Sequence, residues 1–199
     1  PDYYIRSPNI GKQSARANIC NMFPGGTIVG ISDDDMLFYP GWFEACRELL
    51  EHFPNVGTVS GYPVRTQFRW GCANTIAWGH NNGIVEQGHL IPHKWEIDFC
   101  HSIGRGPNEH QKGTRMDIDH RVTYQGKRAY LTAHHCQFIA YNDRIAKYCV
   151  WNNLAMGEEK TFDISIDAGG LLRLTTINRV TRHIGNVLDD DIREELAKF

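Results

Sequence analysis

The chain of 199 residues lacks any apolar run long enough to cross a membrane and has no secretory signal at its start. Its 21 basic and 23 acidic side chains nearly balance, so charge predicts neither a nucleic-acid nor a membrane partner. Its six cysteines include no CxxC pair, which disfavours a zinc finger or a small disulfide scaffold. Cys46 and Cys149 lie on the apolar faces of predicted helices, so we expect their thiols to be buried. We therefore expect a cytoplasmic protein with one full α/β core.

The acidic triplet Asp33-Asp34-Asp35 is the most informative pattern in the chain. It follows Thr27–Ile31, a short β-branched run typical of a buried strand, and precedes a predicted helix over residues 41–53. Open α/β sheets bind ligands at the carboxyl ends of their strands, and carboxylates suit hard cations such as Mg²⁺ and Mn²⁺. The position of the triplet predicts a metal site, although the residues alone leave open that they only form a turn.

A second triplet, Asp189-Asp190-Asp191, serves as an internal comparison. It opens a segment in which Ile192, Leu196 and Phe199 have helical spacing. Acidic residues in a first helical turn are explained by capping and by the helix dipole. An acidic triplet therefore does not by itself indicate a metal site.

Strands and helices alternate in the first third of the chain. Their short connections predict a mostly parallel sheet flanked by helices. The predicted elements are a strand over Tyr3–Arg6, a helix over Lys12–Met22, a strand over 56–61, strands over 128–133 and 134–141, a helix from Asn142, a helix from 158 to 168, a strand over 171–176, a loop over 180–186 and a terminal helix.

The middle of the chain, residues 67–125, is rich in Gly, His and Trp and has little periodicity. This pattern predicts an irregular region with a short helix over 92–103. Irregular stretches of this length are usually functional or mobile. We expect a variable insertion or acceptor-binding region within a single domain that spans residues 1–199.

Several short motifs occur in a fixed order along the chain. They are Asn9-x-Gly11-Lys12-x-x-Ala15-Arg16-x-Asn18, the strand with Asp33-Asp34-Asp35, Pro40-x-Trp42-Phe43, Pro54-x-Val56-Gly57, Gly157-Glu158-Glu159 with Asp167-Ala168-Gly169, and Arg182-His183-x-Gly185-Asn186. In this order they resemble the nucleotide-sugar glycosyltransferases of the GT-A fold, in particular the large family-two group. The resemblance implies a Rossmann-like sheet that is N-terminally incomplete, because nothing matches the strand-turn-helix with which family members begin. An upstream segment or a partner chain would then complete the sheet.

The resemblance implies a role for each matched residue. Asp35 would ligate Mn²⁺ or Mg²⁺, and Asp33 would meet the ribose or the metal through water. His183 would be a further ligand to the metal or the diphosphate, since neutral imidazole can ligate Mn²⁺. The residues assigned to the nucleotide-sugar are Lys12, Arg16, Asp33 and Asp34. An arginine on a surface helix is otherwise simply solvated.

The catalytic base is assigned to the region of Glu158 and Glu159, with Asp163 one turn later as a reserve. An acceptor hydroxyl loses its proton as it attacks the sugar, and a carboxylate in the pocket can take that proton. The family motif is Glu-Asp, whereas this chain has two glutamates, so the choice among the three carboxylates stays open. Both glutamates could equally be first-turn partners of a helix dipole.

Other aromatic residues and histidines are weaker candidates. Trp70, Trp78 and Trp95 could stack on sugar rings or pack in the core. His134 and His135 are adjacent in a predicted strand, where neighbouring side chains point to opposite faces, so we expect at most one of them in a pocket.

The predicted function is a metal-dependent glycosyltransferase of the hexosyltransferase type. It would transfer a sugar from a nucleoside diphosphate-sugar donor to a hydroxyl acceptor, such as a glycan, with inversion. One alternative is a truncated GT-A-like module that binds a glycan or partner without turnover. A further alternative is a nucleotidyltransferase, although the Gly-rich basic phosphate loop of such enzymes is absent near the start of this sequence.

Overall fold

The computed structural model describes residues 8, 10–106, 117–149, 158–185 and 190–197. The predicted strand over Tyr3–Arg6 lies outside these residues. The described elements are α1 (Lys12–Met22), β1 (Ile28–Ser32), β2 (Met36–Phe38), α2 (Trp42–His52), β3 (Val56–Ser60), α3 (Ala73–Asn82), β4 (Ile84–Gly88), α4 (His93–Ser102), β5 (Asp119–Tyr124), β6 (Lys127–Tyr130), β7 (Gln137–Tyr141), α5 (Asn142–Ile145), α6 (Glu158–Ala168), β8 (Leu172–Thr175), β9 (Thr181–His183) and α7 (Asp190–Leu196), with 3₁₀ turns at Arg65–Arg69 and Ala146–Tyr148.

The protein has an α/β architecture built on a seven-stranded mixed sheet. The strand order is β1-β7-β3-β8-β6-β5-β4, and β2 pairs with β9 in a separate antiparallel ribbon. Among the described strands only β3 and β8 pair in parallel. The prediction of a mostly parallel sheet is therefore wrong.

The misprediction has a specific physical cause. Short strand–helix–strand connections correctly place β1 and β3 in the same direction, but β7 enters between them and runs antiparallel to both. A segment from later in the chain, here β7, can insert between two parallel strands, and the sequence around those strands does not predict the insertion. Mixed sheets of this kind are common among large α/β sheets.

The described parts of the middle region, 67–106 and 117–125, contain α3, β4, α4 and β5, so the prediction of an irregular region is wrong there. The short helix predicted over 92–103 is confirmed as α4. Strands β4 and β5 pair along Ile84–Gly88 and Asp119–Tyr124 and extend the same sheet through β6. Strand β4 is the edge of the sheet and β5 is its neighbour, and in neither strand do buried and exposed residues alternate strictly. The period-2 pattern that would predict a strand is therefore missing from their sequences.

Three helices were predicted closely, because each carries an apolar stripe. The predicted helix over Lys12–Met22 is confirmed as α1 at the same bounds, and α2 and α6 lie within their predicted ranges. Cys46 and Cys149 are buried, as predicted. The main core packs α2 against the sheet and contains Leu49, Leu50, Val59, Ile139 and Leu174.

The direction of these elements brings several chain ends to one edge of the sheet. The carboxyl ends of β1, β3 and β8 lie there together with the amino end of β7, because β7 is antiparallel to its neighbours. Helices α1 and α6 each lead back into a strand, β1 and β8, that ends at this edge. Their first turns, which contain Lys12 and Glu159, therefore lie at the same edge.

No helix among the described residues is both long and apolar enough to span a bilayer.

A buried ion pair fixes the middle region against the sheet. Asp119 is fully buried and accepts from Arg65 Nε at 2.9 Å and from Arg65 Nη2 at 3.0 Å. Its Oδ2 also accepts the backbone N–H groups of Leu90 and Ile91. The carboxylate thus joins the 3₁₀ turn at 65–69, the loop before α4 and strand β5.

We expect Asp119→Asn to destabilise the fold by about 3–5 kcal/mol, because it leaves the buried Arg65 guanidinium without a counter-charge. The exposed pair Glu86–Arg121 is the matched comparison, and Glu86→Gln should cost far less than Asp119→Asn, because solvent screens an exposed ion pair. Urea unfolding followed by circular dichroism measures both values. Equal losses for the two variants would contradict the assignment of the Asp119 network as an anchor.

Candidate functional site

The acidic triplet forms the turn between β1 and β2. Asp33 directly follows β1, and its backbone N–H donates to Cys136 O at 2.7 Å. Asp34 and Asp35 make the turn itself, in which Asp34 is exposed and Asp35 is partly buried. Because the chain turns at these residues, the three carboxylates are separated and have different surroundings.

His183 lies beside Asp35, with 3.1 Å between His183 Nε2 and Asp35 Oδ2. The contact is set by backbone pairing, since Met36 is opposite His183 in the β2–β9 ribbon and Ile184 N–H donates to Asp35 O at 2.9 Å. The predicted loop over 180–186 is thus wrong where it contains β9. His183 therefore lies at the same edge of the sheet as the acidic turn, where a further ligand to the site was expected.

A glycine makes this approach possible. Gly185 has a φ of +65°, and a Cβ atom there would lie 1.9 Å from Ser102 O. A larger residue would push β9 away from α4. Gly185 therefore allows Ser102 to reach the His183 ring.

Hydrogen bonding assigns the tautomer of His183. Ser102 Oγ donates its single hydrogen to Phe99 O at 2.7 Å, so it accepts from His183 Nδ1 at 2.8 Å. In the neutral ring, Nε2 then carries a lone pair that faces the Asp35 carboxylate. The other oxygen, Asp35 Oδ1, is buried and has no hydrogen-bond partner among the described residues. Two electron-rich atoms in contact call for a proton or a cation between them.

Lys12 connects the acidic turn to helix α6. Its Nζ lies 2.5 Å from Asp33 Oδ1 and 3.4 Å from Glu159 Oε1. Burial raises the pKa of Glu159, but its own backbone N–H together with Lys12 and His135 outweighs that effect and holds the pKa below the usual value. Glu159 is therefore an anion that is already paired.

Arg16 is buried rather than solvated, with 2% of its surface exposed. Its guanidinium lies between the rings of Phe138 and Phe162, 5.4 and 5.3 Å from their centroids, and Nη2 donates to His135 O at 2.8 Å. Burial lowers the pKa of Arg16, and the carboxylates of Asp33, Asp163 and Glu159 oppose that shift. Its Nε and Nη1 groups have no partner among the described residues. These two groups are therefore both buried and unpartnered.

A crossing segment, residues 131–136, lies over β8 and carries both adjacent histidines. Thr175 Oγ1 donates to Thr132 O at 2.6 Å, and Arg173 Nη2 donates to Ala133 O at 2.5 Å. Because this segment is not a strand, the prediction that His134 and His135 point to opposite faces is wrong. Their ring centroids are 5.0 Å apart.

His135 and Asp163 form a hydrogen-bonded pair at the same edge. His135 Nδ1 lies 2.9 Å from Asp163 Oδ2, and Asp163 Oδ1 lies 2.8 Å from Arg173. Asp163 and Arg173 are both buried. Asp163 is therefore held from two sides at the bottom of the site.

His134, His135 and Cys136 offer ligand atoms that all lie within 4.8 Å of one another, the single trio of this kind in the described part of the chain. Its nitrogen and sulfur donors suit zinc rather than Mg²⁺ or Mn²⁺. The Nδ1 atom of His134 accepts the Cys136 N–H at 3.1 Å, and burial raises the pKa of the Cys136 thiol well above its usual range. These contacts account for His134 Nδ1 and for Cys136, whereas His134 Nε2 is buried and has no hydrogen-bond partner among the described residues.

The three tryptophans have different surroundings. Lys160 Nζ lies 4.2 Å from the Trp70 ring centroid, and Arg179 lies over Trp95. Trp78 packs edge-on against Phe53 and Tyr124. Trp78 also lines a cleft of about 390 Å³ between α3 and the α6–β8 turn, and this cleft contains none of the acidic or histidine residues described above.

The predicted site residues are thus brought together in large part. Asp33, Lys12, Glu159 and Arg16 form one connected group, which Asp163 borders, and Asp35 with His183 forms a second group joined to it through the acidic turn. Asp34 is exposed, and the side chain of Glu158 lies outside the described part. Asp33 contacts Lys12 rather than His183. The roles assigned to these residues remain predictions.

Sequence reasoning missed Arg173, Ser102, Cys136 and the pairing of His135 with Asp163. Arg173 had a recognisable signal, because a charged residue inside the apolar run 171–176 is rarely buried without a partner. Ser102 had none, since only the return of β9 gives it a histidine to contact.

Comparison of the chain with protein-family models, with curated proteins and with solved structures gave no match.

We expect the buried His134 to lower the free energy of unfolding at acidic pH. Burial, followed by the neighbouring His135 and His183, lowers its pKa well below 6.5. Below about pH 6.5 the unfolded chain therefore binds a proton that the folded chain does not, and stability falls by about 1.4 kcal/mol per pH unit. His134→Gln should remove that part of the slope between pH 6.5 and 5, measured by urea unfolding.

The exposed His101 provides the control, and His101→Gln should keep the wild-type slope. An unchanged slope in His134→Gln would show that His134 takes up its proton in the folded state.

Proposed function

We propose that the protein is a metal-dependent glycosyltransferase with a GT-A-like arrangement, which transfers a sugar from a nucleoside diphosphate-sugar to a hydroxyl acceptor with inversion. The observation that carries this proposal is the contact between Asp35 and His183. A divalent cation would satisfy both the His183 Nε2 lone pair and the buried, unpartnered Asp35 Oδ1. Carboxylate oxygen with one imidazole nitrogen is a donor set that suits Mn²⁺ and also admits Mg²⁺.

The metal would act as a Lewis acid that stabilises the leaving diphosphate. Asp35 and His183 would hold it, and Ser102 would orient the His183 ring through Nδ1, as partners of ligating histidines usually do. Asp33 is engaged with Lys12, so we assign it to the ribose side of the donor and to positioning Lys12.

Cationic groups beside this pair support a diphosphate-binding role. Arg16 has two unpartnered nitrogen atoms, and its stacking between Phe138 and Phe162 fixes the guanidinium plane. A fixed, planar, permanently charged group suits bidentate recognition of phosphate. Lys12 is partly exposed between two carboxylates and could exchange one of them for a phosphate oxygen. We infer that Arg16 and Lys12 together receive the diphosphate.

Asp35→Asn should abolish Mn²⁺-dependent nucleotide binding while the fold is retained, because the amide keeps the shape but loses the charge. The measurement is calorimetric titration of UDP and GDP with and without Mn²⁺, alongside thermal unfolding of each variant. Asp190→Asn changes an acidic residue of the comparison triplet, exposed at the start of α7, and should bind as the wild type does. Equal metal-dependent binding by wild type and Asp35→Asn would exclude this site.

His183→Gln should weaken metal-dependent binding by about 10–100-fold, the range expected when the coordination environment of a metal is disturbed. The matched measurement is a Zn²⁺ titration of Cys136→Ser. Zinc binding that survives Asp35→Asn but is lost in Cys136→Ser would move the metal to the trio of His134, His135 and Cys136. Nucleotide binding without turnover of any UDP- or GDP-hexose would favour the non-catalytic module.

A further inference from the structure

His135 is held by two different helices. Its ring Nδ1 contacts Asp163 Oδ2 at 2.9 Å, and its backbone carbonyl accepts from Arg16 Nη2 at 2.8 Å. Helix α6 therefore orients the ring, and helix α1 holds the backbone of the same residue.

The contacts also assign the tautomer of His135. Arg173 is permanently charged and fully buried, and it engages Asp163 Oδ1 at 2.8 Å, so Asp163 acts as an acceptor. His135 Nδ1 must then carry the hydrogen, and Nε2 carries the lone pair. The imidazole is 19% exposed, whereas the Asp163 side chain is 3% exposed. Only the histidine can meet a substrate.

Two of the three carboxylates assigned to proton transfer, Asp163 and Glu159, have described side chains, and both are less suited to it. Both oxygens of Asp163 are occupied, one by His135 and one by Arg173. Glu159 is paired with Lys12 at 3.4 Å. The charged and titratable groups that face His135 are Lys12 and Arg16 from α1, Glu159 and Asp163 from α6, Arg173 from β8, and His134 from its own segment.

We propose that His135 is the proton acceptor of this site and that Asp163 is its positioning residue. The inference rests on the proposed function. As the acceptor oxygen forms its bond to the anomeric carbon, the bond from that carbon to the diphosphate breaks, and the diphosphate leaves with the electron pair. The hydroxyl proton passes to His135 Nε2. Asp163 stabilises the resulting imidazolium and Arg173 holds Asp163, as in Asp–His pairs elsewhere.

His135→Gln is the decisive variant, because it preserves the buried Asp163–Arg173 pair and therefore the fold. With Mn²⁺ and a panel of UDP- and GDP-hexoses, it should lower kcat for nucleoside diphosphate release by about 10²–10⁴-fold, with donor KM and nucleotide Kd unchanged. Glu159→Gln should lower kcat less than His135→Gln does. His101→Gln, at an exposed histidine, should keep the wild-type kcat.

The role of Asp163 is tested by comparing two substitutions whose effects on kcat a purely structural role would not distinguish. Asp163→Asn should lower kcat through loss of the correct tautomer, and Asp163→Glu, which keeps the charge, should restore part of it. Wild-type kcat in His135→Gln, or a larger loss in Glu159→Gln, would overturn the inference and leave the proposed function standing.

A second measurement needs no turnover. Diethyl pyrocarbonate modifies unprotonated imidazole nitrogen, and the tryptic peptide 129–144 contains His134 and His135 as its two histidines, which fragment ions distinguish. In the wild type, His135 should react at least about tenfold faster than the buried His134, and Asp163→Asn should slow the reaction at His135. If the wild type does not bind nucleotide, the proposed function is wrong. The reaction rate at His135 still tests whether Asp163 orients the His135 ring, because that measurement needs no substrate. A rate at His135 that is equal to that at His134, or unchanged in Asp163→Asn, would overturn the pair.

Discussion

The buried guanidinium of Arg173 joins the parts of the structure from which the candidate site is built. It donates to the carbonyl oxygens of Trp70, Gly71 and Ala133 and pairs with Asp163, although it belongs to a strand in the middle of the sheet. A buried charge is costly unless it is paired and hydrogen-bonded, and of the Arg173 guanidinium nitrogens only Nε has no partner among the described residues. The chain around it must therefore present carbonyl groups and a carboxylate, which holds the crossing segment and α6 at fixed positions.

The candidate site contains two neighbouring groups of charged and ionisable side chains. On one side Lys12 links Asp33 to Glu159, and on the other Asp35 contacts His183. Under the proposed function, a diphosphate and a cation would enter this site together. Each incoming charge would replace a contact already present rather than create a new buried one.

Backbone geometry rather than side-chain chemistry decides where the two histidines act. Pairing of β9 with β2 brings His183 to the acidic turn, and Gly185 lets α4 approach closely enough for Ser102 to orient the ring. The crossing segment departs from strand geometry, so His135 turns toward Asp163. In both cases the ring is held by a hydrogen bond at Nδ1, and in His183 the Nε2 atom contacts Asp35.

Local pattern determined what depends on neighbours in sequence. The sequence of residues 12–22 predicted helix α1, and the β-branched run before Asp33 predicted a strand ending in an acidic turn. Tertiary structure alone decided what depends on distant segments: the antiparallel entry of β7, the regular strands hidden in residues 67–125, the burial of Arg16 and the partners of His135 and His183. Helical periodicity is a property of a few consecutive residues, whereas strand order and the pairing of charges depend on which remote segments meet.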